Sequence, residues 1–132
     1  MNIQRLFECK KVVYSLEVFP PKKTTSIDTI YNTLYGLRGL RPDFISVTYG
    51  AGGGTSKNTV KIASHIQNDL GVASLAHLTC ASSTKEEVRQ VIEQLKEQGI
   101  ENILALRGDI PKDGAFPIPN HYKYASELIA DI

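Results

Sequence analysis

Glu17 lies inside an otherwise apolar run, Ser15-Leu16-Glu17-Val18-Phe19, where a carboxyl group is rarely left without a partner or a task. Held among apolar neighbours, such a group can carry a proton and donate it as a general acid. The plainer alternative is a strand-end acid that reaches solvent or pairs a structural cation. Arg107-Gly108-Asp109 sets a cation, a permissive backbone and an anion in consecutive positions. Arg can bind phosphate there and Asp can orient a heteroaromatic ring, although a solvated turn with the two paired would read the same. His77, two residues before Thr79, is a candidate base or a hydrogen-bonded core residue. The His77-x-x-Cys80 spacing offers only two metal-ligating side chains, with His65 and His121 elsewhere, so no metal site is expected.

Gly50-Ala51-Gly52-Gly53-Gly54-Thr55-Ser56 also invites a phosphate. The dinucleotide pattern GxGxxG fails at its last glycine, where Thr55 stands, and the P-loop pattern fails around Lys57. What survives is a loop whose backbone can approach a ligand closely, or a flexible turn.

These residues recur at a near-constant interval. Four apolar segments, Val12–Phe19 with Glu17, Phe44–Thr48, Ser74–Thr79 with His77 and Ile103–Leu106 running into Arg107-Gly108-Asp109, each carry a polar or charged residue at or near the C-terminal end. From Glu17 to Thr48, Thr79 and Asp109 the steps are 31, 31 and 30 residues. That is the length of a strand, a crossover helix and the return to a parallel strand. In a closed parallel barrel the C-terminal strand ends converge on one mouth, where chemistry sits.

The intervening segments are helical. Thr25-x-x-Asp28 resembles a capping box and is followed by Ile27, Ile30, Tyr31, Leu34 and Leu37 at helical spacing. Val60, Ala63, Ile66 and Leu70 mark a second helix, closed by Gly71. Thr84-x-x-Glu87 opens a third, with Val88, Val91, Ile92 and Leu95 as its buried stripe and Gly99 at its end. Ala125, Leu128, Ile129 and Ile132 form a fourth pattern. The strands are predicted over Val12–Phe19, Phe44–Tyr49, Ala73–Thr79 and Asn102–Leu106. The fold class is therefore α/β, with four βα units and no internal domain boundary. A full eight-stranded barrel needs about 250 residues. The 132 residues here suit either a small open sheet or the N-terminal half of a barrel.

Bulk properties narrow the function. With 42% hydrophobic and 22% charged residues the composition is that of an ordinary globular domain. Fifteen Lys and Arg are spread among fourteen acids for a net charge of +1, so no nucleic-acid footprint is indicated. No run of about eighteen apolar residues predicts a membrane span. The N-terminus lacks the apolar core of a signal peptide. Two cysteines without a CxxC pair suit reduced thiols in the cytoplasm.

Five blocks, in order, resemble the methylenetetrahydrofolate reductase family. They are Ser15-Leu16-Glu17-Val18-Phe19-Pro20-Pro21, Phe44-Ile45-Ser46-Val47-Thr48-Tyr49-Gly50-Ala51, Ala76-His77-Leu78-Thr79-Cys80, Ala105-Leu106-Arg107-Gly108-Asp109-Ile110-Pro111 and Tyr124-Ala125-Ser126-Glu127-Leu128. Leu16 and Val18 stand where aromatic residues are common in the family, and Gly52 to Gly54 is richer in glycine than its usual loop.

The resemblance implies the first four βα units of a (β/α)8 TIM barrel. It also implies FAD as cofactor, NADH or NADPH as reductant, and reduction of 5,10-methylenetetrahydrofolate to 5-methyltetrahydrofolate in one-carbon metabolism. Carried over by position, Glu17 resembles the general acid and Asp109 the carboxylate near pterin and flavin. Thr48, Tyr49, Ala51, His77, Arg107, Gly108, Asp109 and Ala125 match flavin-contacting positions, with Thr48 also near the nicotinamide. The flavin would supply the redox step, leaving Cys9 and Cys80 as packing residues. Residues 1–132 alone are not expected to turn over, and another copy in a homo-oligomer, or a disordered remainder, is expected to cover the unfinished sheet edge and its apolar face. The alternative reading is a small open-sheet α/β domain that binds a phosphorylated ligand through the Gly50–Ser56 loop.

Overall fold

The computed structural model describes residues 1–50, 56–110, 112–113 and 116–132. Four strands, β1 (Ser15–Val18), β2 (Phe44–Val47), β3 (Ala73–Thr79) and β4 (Ile103–Leu106), form one parallel sheet in the order β1-β2-β3-β4. Helices α2 (Ile27–Leu37), α3 (Ser56–Ser64) and α4 (Lys85–Glu97) connect them, and α5 (Ala125–Asp131) follows β4. This is the succession of the first four βα units of an eight-stranded barrel.

The pleat sorts the side chains. Register pairs Glu17 with Ser46, Ser46 with Leu75, and His77 with Leu104, so these share one face. The other face carries Val18, Ile45, Val47, Ala76 and Leu78, which join Leu34, Ile66, Val88, Leu95 and Leu128 of the helical layer in the main core. All four residues of β2 are buried, as the central position of a sheet requires. The third helix forms as its sequence predicts: the Thr84 hydroxyl accepts from the Glu87 N–H and the Glu87 carboxylate from the Thr84 N–H.

Several boundaries differ from the sequence-based expectation. Strand one begins at Ser15 rather than Val12, because Tyr14 is held by Asp43 instead. The Asp43 N–H donates to the Tyr14 carbonyl at 2.7 Å, and the Tyr14 N–H to Asp43 Oδ2 at 2.8 Å. Val12 is left exposed. Ser26, not Thr25, caps α2, accepting from the Asp28 N–H at 3.2 Å. The second helix widens after Ser64 into a π-helical turn, His65–Asp69, in which the Leu70 N–H reaches back to the His65 carbonyl. Gly71 then reverses the chain at φ +69°.

The N-terminal helix α1 (Gln4–Cys9) was not anticipated, since it is only six residues long. It closes the N-terminal end of the sheet's second face. Ile3, Phe44 and Ala73 are buried there, with Leu6, Val13 and Leu75 packed against them. Asn102, predicted as the first residue of strand four, acts instead as a staple. Its Oδ1 accepts from the Ile3 N–H at 2.9 Å, while Nδ2 donates to the carbonyls of Met1 (2.7 Å) and Ser74 (3.1 Å). Cys80 is buried, but Cys9 is exposed on α1 and is not a packing residue. Among the described residues no helix is long and apolar enough to cross a membrane.

Removing the staple leaves the Ile3 N–H buried without an acceptor. Asn102→Ala is expected to destabilise the chain by about 2 kcal/mol. Urea unfolding measures this, and a loss under about 0.5 kcal/mol would show that water replaces the side chain without cost.

Candidate active site

Parallel strands bring all four C-terminal ends to one side of the sheet. Glu17, third residue of β1, points to the face opposite the helical core. Its Oε2 accepts a hydrogen bond from the Ser46 hydroxyl at 3.0 Å and lies 3.5 Å from His77 Nε2. The three side chains bridge β1, β2 and β3. Ser46 is buried, His77 is nearly so, and about half of the Glu17 side chain (49%) meets solvent. Glu17 is thus anchored at one oxygen and open at the other. The sequence reading did not single out Ser46. Its signal was there: it is the only polar residue in β2, at the register position of Glu17.

Thr48 and Tyr49 follow β2 directly. The Thr48 N–H continues the ladder to the Val18 carbonyl at 3.0 Å, and the Thr48 carbonyl accepts from the Thr59 hydroxyl at 3.1 Å. Tyr49 packs against the main core. Ala51, and the glycine-rich loop through Thr55, lie outside the described residues.

Arg107, Gly108 and Asp109 leave β4 in a turn clamped to the end of β3. The Arg107 carbonyl accepts from the N–H groups of both Cys80 (3.2 Å) and Ala81 (2.8 Å). Gly108 adopts φ +79°, and a Cβ there would stand 2.9 Å from Thr79 Cβ. Only glycine fits this approach. Burial pushes the Cys80 thiol above its ordinary range, which keeps it inert beneath the turn.

Arg107 and Asp109 are exposed, and among the described residues no ion pair joins them; the Arg107 Nε–H donates to the Gly108 carbonyl at 3.4 Å. Neither touches Glu17 or His77 among the described contacts. The structure therefore brings Glu17 and His77 together and leaves Arg107 and Asp109 as exposed charges on a separate turn. Ala125 begins α5, whose N-terminus is held by Glu127 accepting from the N–H groups of Lys123 (2.6 Å) and Tyr124 (3.3 Å).

Comparison with known proteins identifies the family. The methylenetetrahydrofolate reductase family matches residues 2–132. The chain is 35% identical over 120 residues to 5,10-methylenetetrahydrofolate reductase of Pectobacterium carotovorum, covering 91% of this chain and 39% of that protein. It is 40% identical over 122 residues to methylenetetrahydrofolate reductase 1 of Schizosaccharomyces pombe, with 91% and 20% covered. A third relative, methylenetetrahydrofolate reductase (NADH) 1 of Arabidopsis thaliana, is 37% identical over 133 residues, with 99% and 22% covered. The chain spans between about a fifth and two fifths of the length of these relatives. It belongs to the methylenetetrahydrofolate reductase family, a family of oxidoreductases.

The tightness of the β3–β4 clamp is directly testable. Gly108→Ala forces both a strained φ and a backbone shift against Thr79, at a cost of about 1–3 kcal/mol. Thermal unfolding should register the loss. Wild-type stability would mean that the turn relaxes freely and does not fix Arg107 and Asp109.

Proposed function

We propose that this chain provides the acid-bearing half of a flavin-dependent reductase. The enzyme would convert 5,10-methylenetetrahydrofolate to 5-methyltetrahydrofolate with NADH or NADPH. Residues 1–132 would form the N-terminal half of its barrel, a single incomplete domain inactive alone and located in the cytoplasm. The observation that carries this reading is the placement of Glu17. It is held at Oε2 by Ser46 and His77 on the face away from the helical core, with about half of its side chain (49%) exposed to solvent.

The side chains present fit a flavin nucleotide. Arg107 presents an exposed guanidinium suited to a pyrophosphate, and Gly108 lets backbone approach closely. Leu104 and Leu106, 39% and 36% exposed on the Glu17 face, offer apolar surface to a flat ring. Thr48, Tyr49, Ala51, His77 and Ala125 complete the proposed contacts. The chemistry supplied by a bound flavin is hydride transfer, taken from reduced nicotinamide and delivered to the one-carbon unit.

This chain's part is acid catalysis and orientation. The O–H bond of protonated Glu17 breaks as an N–H bond forms on a bridging folate nitrogen. The C–N bond of the five-membered ring then breaks, its electron pair going to that nitrogen. The other nitrogen's lone pair makes the iminium that hydride attacks. Asp109 would orient pterin and flavin through its carboxylate. The rival reading, a phosphate-binding open sheet, rests on the Gly50–Ser56 loop, of which residues 51–55 lie outside the described residues.

Two predictions follow from the assigned roles. In the complete enzyme Glu17→Gln keeps the packing but removes the transferable proton, so folate reduction should fall at least about a hundredfold. Flavin reduction by nicotinamide should survive, whereas Asp109→Asn should slow both half-reactions. Stopped-flow of the separated halves distinguishes these, and equal slowing of both by Glu17→Gln would make it a cofactor-positioning residue. The outer edge of β4 and the surface of Ile129 and Ile132, 62% and 50% exposed, further suggest a homo-oligomer for the isolated chain. Light scattering that shows a monomer at micromolar concentration would overturn that.

A further inference from the structure

The relation of Ser46 to Glu17 goes one step beyond the assignment of the acid, and rests on it. Ser46 Oγ donates to Glu17 Oε2 at 3.0 Å, and His77 Nε2 lies 3.5 Å from that same oxygen. Oε1 has no hydrogen-bond partner among the described residues. Ser46 is 6% exposed, in the middle of a fully buried strand whose backbone is paired on both sides. Its hydroxyl is therefore placed by the sheet and not by a mobile loop.

We infer that Ser46 is a positioning residue for Glu17, fixing Oε2 as the acceptor and presenting Oε1 as the oxygen that carries and releases the proton. A hydroxyl donor suits this task through the whole proton cycle. When Glu17 is neutral, with its proton on Oε1, Oε2 is the carbonyl-type oxygen and accepts from Ser46. When the proton has left, Oε2 still accepts, so the anchor need not rearrange. An exposed glutamate without the anchor would sample several rotamers and meet the substrate nitrogen in only some of them. The serine thus acts on orientation, and through Glu17 alone.

The test combines rates with a coupling measurement. In the flavin-loaded complete enzyme, Ser46→Ala should lower kcat for folate reduction about three- to tenfold, the loss expected of one hydrogen bond. Flavin reduction should stay within about twofold, and Ser46→Thr, which keeps the hydroxyl, should recover most of the folate rate. Adding Ser46→Ala to Glu17→Gln should cost nothing more, since no proton remains to be aimed.

An independent readout uses the 132-residue chain. The effects of Ser46→Ala and Glu17→Ala on the urea midpoint should be less than additive. Should the alanine variant unfold, Ser46→Cys, close in volume and a weak donor, should show a partial loss confined to the folate half-reaction. Equal slowing of both half-reactions, an undiminished loss in the Glu17→Gln background, or additive stability effects would each overturn the inference. If Glu17→Gln is impaired while Ser46→Ala is normal, only the positioning role fails. If Glu17→Gln reduces folate normally, the assignment of the acid itself has failed.

Discussion

The phase of the pleat in a buried parallel sheet is the constraint on which this structure depends. Ile45, Val47, Ala76 and Leu78 must face the helices, because Leu34, Ile66, Val88 and Leu95 can bury their apolar surface nowhere else. Side chains alternate along a strand, so that choice sends Ser46 and His77 to the opposite face. Register then adds Glu17 through its pairing with Ser46. A slip of one residue would turn the apolar set outward and draw the polar set into the core. The same apolar burial that drives folding thus gathers the polar row, without any attraction between its members being needed.

The second face is divided between stability and chemistry. At its N-terminal end, α1 packs Ile3 and Leu6 over Phe44 and Ala73, and Asn102 satisfies the backbone that this docking buries. At its C-terminal end, Glu17, Ser46, His77 and Thr79 replace the apolar residues. Conserving stability in one half leaves the other free to hold a half-exposed acid. The turn of Arg107 to Asp109 is kept rigid by a different device, a carbonyl shared between two N–H groups and a glycine wedged against Thr79. Rigid support beneath exposed charges is what a site needs to meet a ligand without first ordering itself.

The helical layer is tied together by charge as well as by apolar contact. Tyr122, buried between α4 and α5, donates to Asp131, which also accepts from Arg89 at 3.0 Å. Both donors hold the Asp131 carboxyl below its ordinary range. This network ties α5 to α4, and Ile103, Leu104, Ala105, Ile129 and Ile132 border a groove of about 420 Å³ between α5 and β4.

Much of this was legible in the sequence, for physical reasons that are local. The thirty-residue interval, the helical stripe of Val88 to Leu95 and the Thr84–Glu87 capping box express short-range periodicity and hydrogen bonding, so strand order and helix placement could be read directly. Glu17, His77 and Arg107 to Asp109 stood out as candidate site residues by type and position. What joins them was not. Contact between Glu17 and His77, sixty residues apart in sequence, depends on register, and register is settled by packing across the whole sheet. Ser46 looked like a minor polar interruption until β2 placed its hydroxyl against the carboxyl group. The six-residue α1 and the π-helical turn at His65 escaped because too few residues carry a periodic signal. Asn102 likewise read as a strand residue, since its three partners come from Met1, Ile3 and Ser74, distant segments that only the folded chain brings to one side chain.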